Sequence, residues 1–196
     1  MINSENDLRV SKYGISWESV LSSDEIEIIH EIADGFKGIT GESGKIMNAN
    51  LENTELRRSF VIWLENNQNT HWLYKKITDA VLRINAERYQ FELLGAQPIQ
   101  YTVYEEYNRG EYSWHNDIVP FTDHSVRKLS ASILLSDTSE FEGGSFLFSP
   151  DGEHIEIEQH KGRMIVFPSW IPHCVTPILK GKRISLVMWL YGKNFR

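Results

Sequence analysis

Cysteine is almost missing from this chain: Cys174 is the only one among 196 residues. No intramolecular disulfide can form, and the count fits a reducing compartment. No apolar run approaches the roughly 18 residues that suggest a membrane span. Residues 1–20 contain Asn, Glu, Asp, Arg and Lys instead of the apolar stretch of a signal peptide. The expectation is a cytoplasmic protein without membrane contact. Basic charge is in deficit, with 20 Lys and Arg against 27 Asp and Glu and a net charge of −7. A broad nucleic-acid footprint would need a basic face, so no nucleic-acid partner is expected. Also missing are internal repeats, low-complexity tracts and any proline-rich linker. What remains is 41% hydrophobic and 24% charged, as in an ordinary soluble globular protein. A chain of this length buries about 70% of its unfolded surface. One domain over residues 1–196 is expected.

The first half reads as helical and the second as strands. Ser22-Ser23-Asp24-Glu25 offers a hydroxyl or carboxylate cap with acids in the first turn, which suits the helix dipole. Ile26, Ile29, Ile32 and Ala33 follow at helical spacing, and Gly35 is the expected stop. Lys37 to Asn53 lacks periodicity and contains Gly38, Gly41 and Gly44. It reads as a long loop and a candidate lid. Leu56 to Leu64 fits either strand or helix. A second helix is expected from a cap at Asn69 or Thr70 to about Ala86, with Trp72, Leu73, Ile77, Ala80, Val81 and Ile84 on one face. Residues 1–20 read as irregular.

After Gly95 the pattern changes. Ile99 to Tyr104, Leu129 to Leu135, Ser145 to Phe148, His154 to Ile157, Met164 to Phe167 and Ile184 to Tyr191 are short apolar or alternating runs. Asn108-Arg109-Gly110, Ser149-Pro150-Asp151-Gly152 and Lys180-Gly181 are turn signals between them. Many short strands at this spacing predict a double-sheet jelly roll over residues 96–196, buttressed by helical support in residues 1–95.

Chemistry concentrates at Tyr112-Ser113-Trp114-His115-Asn116-Asp117. On a strand, His115 and Asp117 share one face, because alternate residues point the same way. An imidazole and a carboxylate aimed at one point are two thirds of a facial metal triad. His173 is the best third ligand. Ten residues later stands Arg183, able to pair with a carboxylate of something bound to the metal. Strand alternation puts Ser185 on the same face as Arg183. Cys174, beside His173, points the other way and reads as a buried structural thiol. The remaining histidines, His30, His71, His124, His154 and His160, read as surface or packing residues.

The ordered set His115-Asn116-Asp117, Glu142-Gly143-Gly144-Ser145-Phe146, Val166-Phe167-Pro168, His173, and Arg183 with Ser185 resembles the iron(II)- and 2-oxoglutarate-dependent dioxygenases, in particular the prolyl 4-hydroxylase-like branch. The likeness runs from about Ile99 to Tyr191. It implies a double-stranded β-helix and an iron(II) held by His115, Asp117 and His173. It also implies 2-oxoglutarate, whose distal carboxylate would meet Arg183, Ser185 and a tyrosine. Tyr104 is favoured for that tyrosine, with Tyr107 as its competitor. Ser130, Ser132, Leu134 and Phe146 are further candidates for lining the cosubstrate pocket. Tyr112 and Trp114 serve either as walls of the substrate entrance or as core. The implied activity is hydroxylation of a peptidyl prolyl or another amino-acid-like group, with dioxygen consumed and succinate and CO2 released. Ascorbate is an optional accessory. A carboxylate ligand at Asp117 disfavours halogenation. The rival reading is a non-enzymatic, cupin-like binding module, which leaves Arg183 and Ser185 without a purpose.

Overall fold

The structure, a computed structural model, describes residues 13, 15–40 and 56–195. In chain order its elements are β1 (Ser16–Ser19), α1 (Ser23–Thr40), β2 (Arg57–Arg58), β3 (Phe60–Leu64), α2 (His71–Ile84), β4 (Gly95–Ala96), β5 (Ile99–Glu105), β6 (Glu111–His115), β7 (Ser125–Leu134), β8 (Phe141–Gly143), β9 (Phe146–Phe148), β10 (Ile155–Ile157), β11 (Arg163–Pro168), β12 (His173–Val175) and β13 (Ile178–Lys193). They form two antiparallel sheets, as expected of a jelly roll with helical support. The larger runs β1-β11-β7-β13-β5-β3, with β4 and β8 also paired to β13. The smaller runs β10-β9-β12-β6-β2.

Strand alternation sorts the large sheet into an apolar outer face and a largely polar inner one. From β5, Ile99, Tyr101 and Val103 enter the apolar cluster under the helices. Leu129, Ala131 and Ile133 of β7 and Leu186, Met188 and Leu190 of β13 join them there. The helices supply Ile26, Ile29, Ala33, Leu73, Ile77 and Val81 from their inward stripes. The alternate residues face the small sheet: Gln100 and Tyr104, Ser132, and Arg183, Ser185, Val187 and Trp189 line a space between the sheets. An aromatic and aliphatic plug containing Phe146, Phe148, Ile165, Phe167 and Val175 fills the rest of that interior.

Several expectations change. Residues 16–19, expected to be irregular, form β1 and pair with β11 from Ser16↔Val166 to Ser19↔Arg163. Polar sequence hides this strand because Glu18 and Ser19 sit at a sheet edge, while Ile15 beside it is buried. Gly35 does not stop α1, which continues to Thr40. A Cβ at Gly35 would meet nothing within 4 Å, so this glycine is an exposed interior position that costs about 1 kcal/mol against alanine. Lys37 to Thr40 are therefore helical, and the rest of the expected lid lies outside the described residues. Leu56 to Leu64 resolves into β2 and β3. Thr70 is the N-cap of α2, but its hydroxyl accepts from the Asn67 N–H at 2.9 Å instead of capping the helix. The helix ends at Ile84 and passes into a π turn over Asn85–Tyr89.

Candidate active site

His115 is the last residue of β6, and His173 the first of β12. The two strands pair in register at these residues, so the imidazoles lie side by side with ring centroids 4.2 Å apart. Each Nδ1 bonds a backbone carbonyl, Ser113 O at 2.8 Å for His115 and Ile171 O at 2.9 Å for His173. A carbonyl only accepts, so each Nδ1 carries a proton, which leaves Nε2 as the nitrogen with a lone pair in the neutral ring.

Asp117 reaches the same point by a different route from the one expected. The strand ends at His115, so pleat alternation does not place the carboxylate. Instead the Asp117 N–H donates to Ser169 O at 2.8 Å, and Oδ2 accepts from the Ser130 hydroxyl at 2.7 Å. Ser130 also meets Ser169 Oγ at 3.0 Å. The result is Oδ1 at 3.7 Å from His115 Nε2 and Oδ2 at 3.4 Å from His173 Nε2. Ligand atoms of all three residues lie within 4.8 Å of one another. Burial, helped by the adjacent His173, pushes His115 down to about 4, so it stays neutral at physiological pH. Burial alone would favour the neutral acid at Asp117, yet His173, His115 and the Ser130 hydroxyl bring it below the usual carboxylate range. Two imidazoles and a carboxylate are the donor set of a facial triad for a divalent transition metal.

Arg183 lies across the same cavity, 1% exposed. Its Nη1 donates to Ser185 Oγ at 3.2 Å and its Nη2 to Gln159 Oε1 at 2.6 Å. Nε is buried without a hydrogen-bond partner. Burial pushes the guanidinium down to about 10, so it remains a cation at neutral pH. It sits 5.6 Å from the Tyr104 ring centroid, and no carboxylate pairs with it among the described residues. A buried cation with an idle donor is a ready anion site. The residues present therefore fit both an iron(II) and a dicarboxylate cosubstrate.

These groups face one cavity between the two sheets. Tyr104, Ser132, Phe146 and Ser185 line it, whereas Leu134 does not. Tyr107, the competitor of Tyr104, is 79% exposed on a 3-10 turn. Tyr112 stacks on the His115 ring with centroids 3.5 Å apart and is a wall of the cavity. Trp114 is exposed, outside the cavity lining, and stacked on His154 with centroids 4.6 Å apart. Cys174 is buried and outside the cavity lining, and burial pushes its thiol up to about 11. Sequence reasoning missed Arg57, Gln100 and Trp189 in the lining, and missed Gln159 and Ser169 as supports. Arg57 sits in the segment whose period was ambiguous. Gln100 and Trp189 stand on the same strand faces as Tyr104 and Arg183, so alternation alone would have flagged them.

Two histidines and an aspartate gathered between the sheets of a jelly roll, opposite a buried arginine, have the donor set of a facial metal triad. Residues 99–191 match the family model for the 2OG-Fe(II) oxygenase superfamily. A PKHD-type hydroxylase of Synechococcus sp. (strain CC9902) is 42% identical over 79 residues, 40% of this chain and 35% of that protein. A PKHD-type hydroxylase of Shewanella baltica is 27% identical over 180 residues, 88% of this chain and 75% of the relative. The chain thus matches about a third of the first relative's length and three quarters of the second's. Among solved structures, a Pseudomonas putida prolyl-4-hydroxylase shares the fold with a TM-score of 0.70 at 19% identity, covering 99% of this chain and 100% of that one. A prolyl hydroxylase of Trichoplax adhaerens, solved with a hypoxia inducible factor oxygen degradation domain peptide fragment, gives 0.74 at 16% identity over 93% and 86% of the two chains. Residues 99–191 are thus similar to the 2OG-Fe(II) oxygenase superfamily, and the chain shares its fold with prolyl hydroxylases.

Proposed function

We propose that this chain is an iron(II)- and 2-oxoglutarate-dependent hydroxylase acting on a prolyl or other amino-acid-like group, with residues 1–196 forming one oxygenase domain. The observation that carries the reading is the cluster of His115, Asp117 and His173 facing a buried arginine whose Nε is idle. His115 Nε2, His173 Nε2 and an Asp117 oxygen are the metal ligands. Bound there, iron(II) with 2-oxoglutarate supplies dioxygen activation, driven by oxidative decarboxylation to succinate and CO2. Arg183, Ser185 and Tyr104 hold the distal carboxylate of the cosubstrate. Ser130 and Ser169 orient Asp117, and the backbone carbonyls of Ser113 and Ile171 fix the histidine tautomers. Phe146, Phe167 and Tyr112 keep the cavity apolar around the reacting centre and limit water.

The peptide-bound relative supports an amino-acid-like substrate. Among the described residues no helix is long and apolar enough to cross a membrane, and the lone, high-pKa thiol suits a reducing cytoplasm. An anaerobic visible spectrum tests the reading. Iron(II) followed by 2-oxoglutarate should produce a new absorption band in the native protein and none in His173→Ala. Stoichiometric iron binding with no 2-oxoglutarate-dependent band would overturn it.

A further inference from the structure

The cavity holds more positive charge than the proposed reaction uses. Arg57, on β2, lines it together with Arg183, and among the described residues Asp117 is the only carboxylate in the lining. Once iron(II) and 2-oxoglutarate are in place, the metal and Arg183 are balanced by Asp117 and the cosubstrate dianion. Arg57 is left over. Among the described residues it has no acidic partner. Its Nε donates to Ser59 Oγ at 2.7 Å and its Nη2 to Gln100 Oε1 at 2.8 Å and Thr102 Oγ1 at 3.3 Å. Its Nη1 makes no hydrogen bond among the described residues. The guanidinium also lies over the Tyr112 ring, 4.6 Å from the centroid, and Tyr112 in turn stacks on His115.

Its position is as telling as its charge. In the β5–β13 register Arg183 opposes Tyr104, Ser185 opposes Thr102 and Val187 opposes Gln100. Arg183 therefore sits at one end of the inward row Gln100–Thr102–Tyr104, and Arg57 is tethered at the other. Four residues of strand separate those ends by about 13 Å. One dicarboxylate anchored at Arg183 and reaching the metal leaves the Arg57 end to a second ligand. Arg127 adds to the field there. Its guanidinium covers Trp189 at 3.9 Å, and Gln97 accepts from its Nε at 2.5 Å. It too has no acidic partner among the described residues. In a chain of net charge −7, two arginines without acids beside the metal site are a local reversal of sign.

We propose that Arg57 is the anchor for a carboxylate on the substrate, so that the hydroxylated group belongs to a free amino acid or to the C-terminal residue of a peptide. This inference rests on the function proposed above. Tethered through Nε and Nη2, the guanidinium is held in place with Nη1 ready to donate, and its planar fork suits a carboxylate. The polar side chains of Gln100 and Thr102 fix the group, so little side-chain entropy is lost on binding.

Anaerobic protein loaded with iron(II) and 2-oxoglutarate is titrated with free L-amino acids and with their C-amides. A matched series of proline-containing dipeptides carries either a C-terminal carboxylate or an amide. Displacement of the visible band reports binding, and succinate formed in air reports turnover. At least one carboxylate probe should displace the band and raise succinate release, with its amide at least about tenfold weaker, as expected for losing a charge-assisted pair. Free amino acids and dipeptides distinguish the two sources of the carboxylate. Arg57→Gln should abolish the preference for carboxylate over amide, and Arg57→Lys should restore part of it. Equal response to acid and amide, an undiminished preference in Arg57→Gln, or no response to any carboxylate probe would each overturn the proposal. A protein that neither shows the 2-oxoglutarate band nor releases succinate fails at the earlier reading, and this proposal falls with it.

Discussion

Arg183 is a fully buried cation in the resting protein. It has no carboxylate partner among the described residues and leaves Nε idle. A buried cation kept this way is costly, and the proposed cosubstrate would supply the missing anion. Gln159 and Ser185 hold the two terminal nitrogens meanwhile. Arg183→Ala should raise the apparent constant for 2-oxoglutarate at least about tenfold, since stranding one partner of a buried charge pair costs about 2–5 kcal/mol. Iron affinity, read by anaerobic titration, should hold, because no metal ligand is touched. Equal weakening of both would mark a folding defect instead. Much of this residue-scale picture was legible beforehand: His115, Asp117, His173, Arg183, Ser185 and Tyr104 all converge. The mechanism of convergence was not. The approach of Asp117 depends on Ser130 and Ser169, residues 13 and 52 positions further along the chain, and spacing within a motif carries no information about such partners.

At the scale of elements, the strands with alternating or apolar runs were readable, while the short and polar ones were not. Strands β8 and β12 have three residues each and lack the apolar or alternating run that marks the equally short β9 and β10. β1 is an edge strand whose pattern is mostly polar, and it forms because β11 offers it a free edge. The corner that delivers the chain from β1 to α1 against the sheet is made at Gly162. There the Val20 and Leu21 N–H groups both donate to Gly162 O, at 2.9 and 3.1 Å, and the Gly162 N–H donates to Leu134 O at 2.8 Å. Gly162 has φ +78, and a Cβ there would lie 2.2 Å from Leu21 O. Gly162→Ala should destabilise the protein by about 1–3 kcal/mol from backbone strain alone, measured as a lowered urea midpoint. A smaller drop at Gly152→Ala is the control, since a Cβ at Gly152 meets nothing within 4 Å although its φ is +92.

Over the whole molecule, one sheet separates a dry helical layer from a polar chamber, and the two faces respond to pH through different groups. On the helical side His30 of α1 meets Tyr101 of β5, Nδ1 to hydroxyl at 2.9 Å, with the rings edge to face at 5.9 Å. Burial holds the His30 pKa below its ordinary value, against opposing pulls from Glu27 and Asp34. In the tautomer with Nδ1 unprotonated, neutral His30 accepts a hydrogen bond from the Tyr101 hydroxyl, and an imidazolium cannot. Because the folded pKa is depressed, the unfolded chain takes up the proton first as pH falls. The stabilisation from neutral His30 is therefore present above about 6.5, the ordinary histidine value, and is lost as pH falls below it. His115 acts in the same direction in metal-free protein, since its folded value is also lowered, to about 4. Metal-free native protein should therefore show a urea midpoint that falls between pH 7.5 and pH 5.5. His30→Gln, which keeps an acceptor for Tyr101 and cannot titrate, should show a shallower fall over the same interval. An identical slope in the variant would place the pH dependence elsewhere and separate the α1–β5 contact from the acid response of the fold.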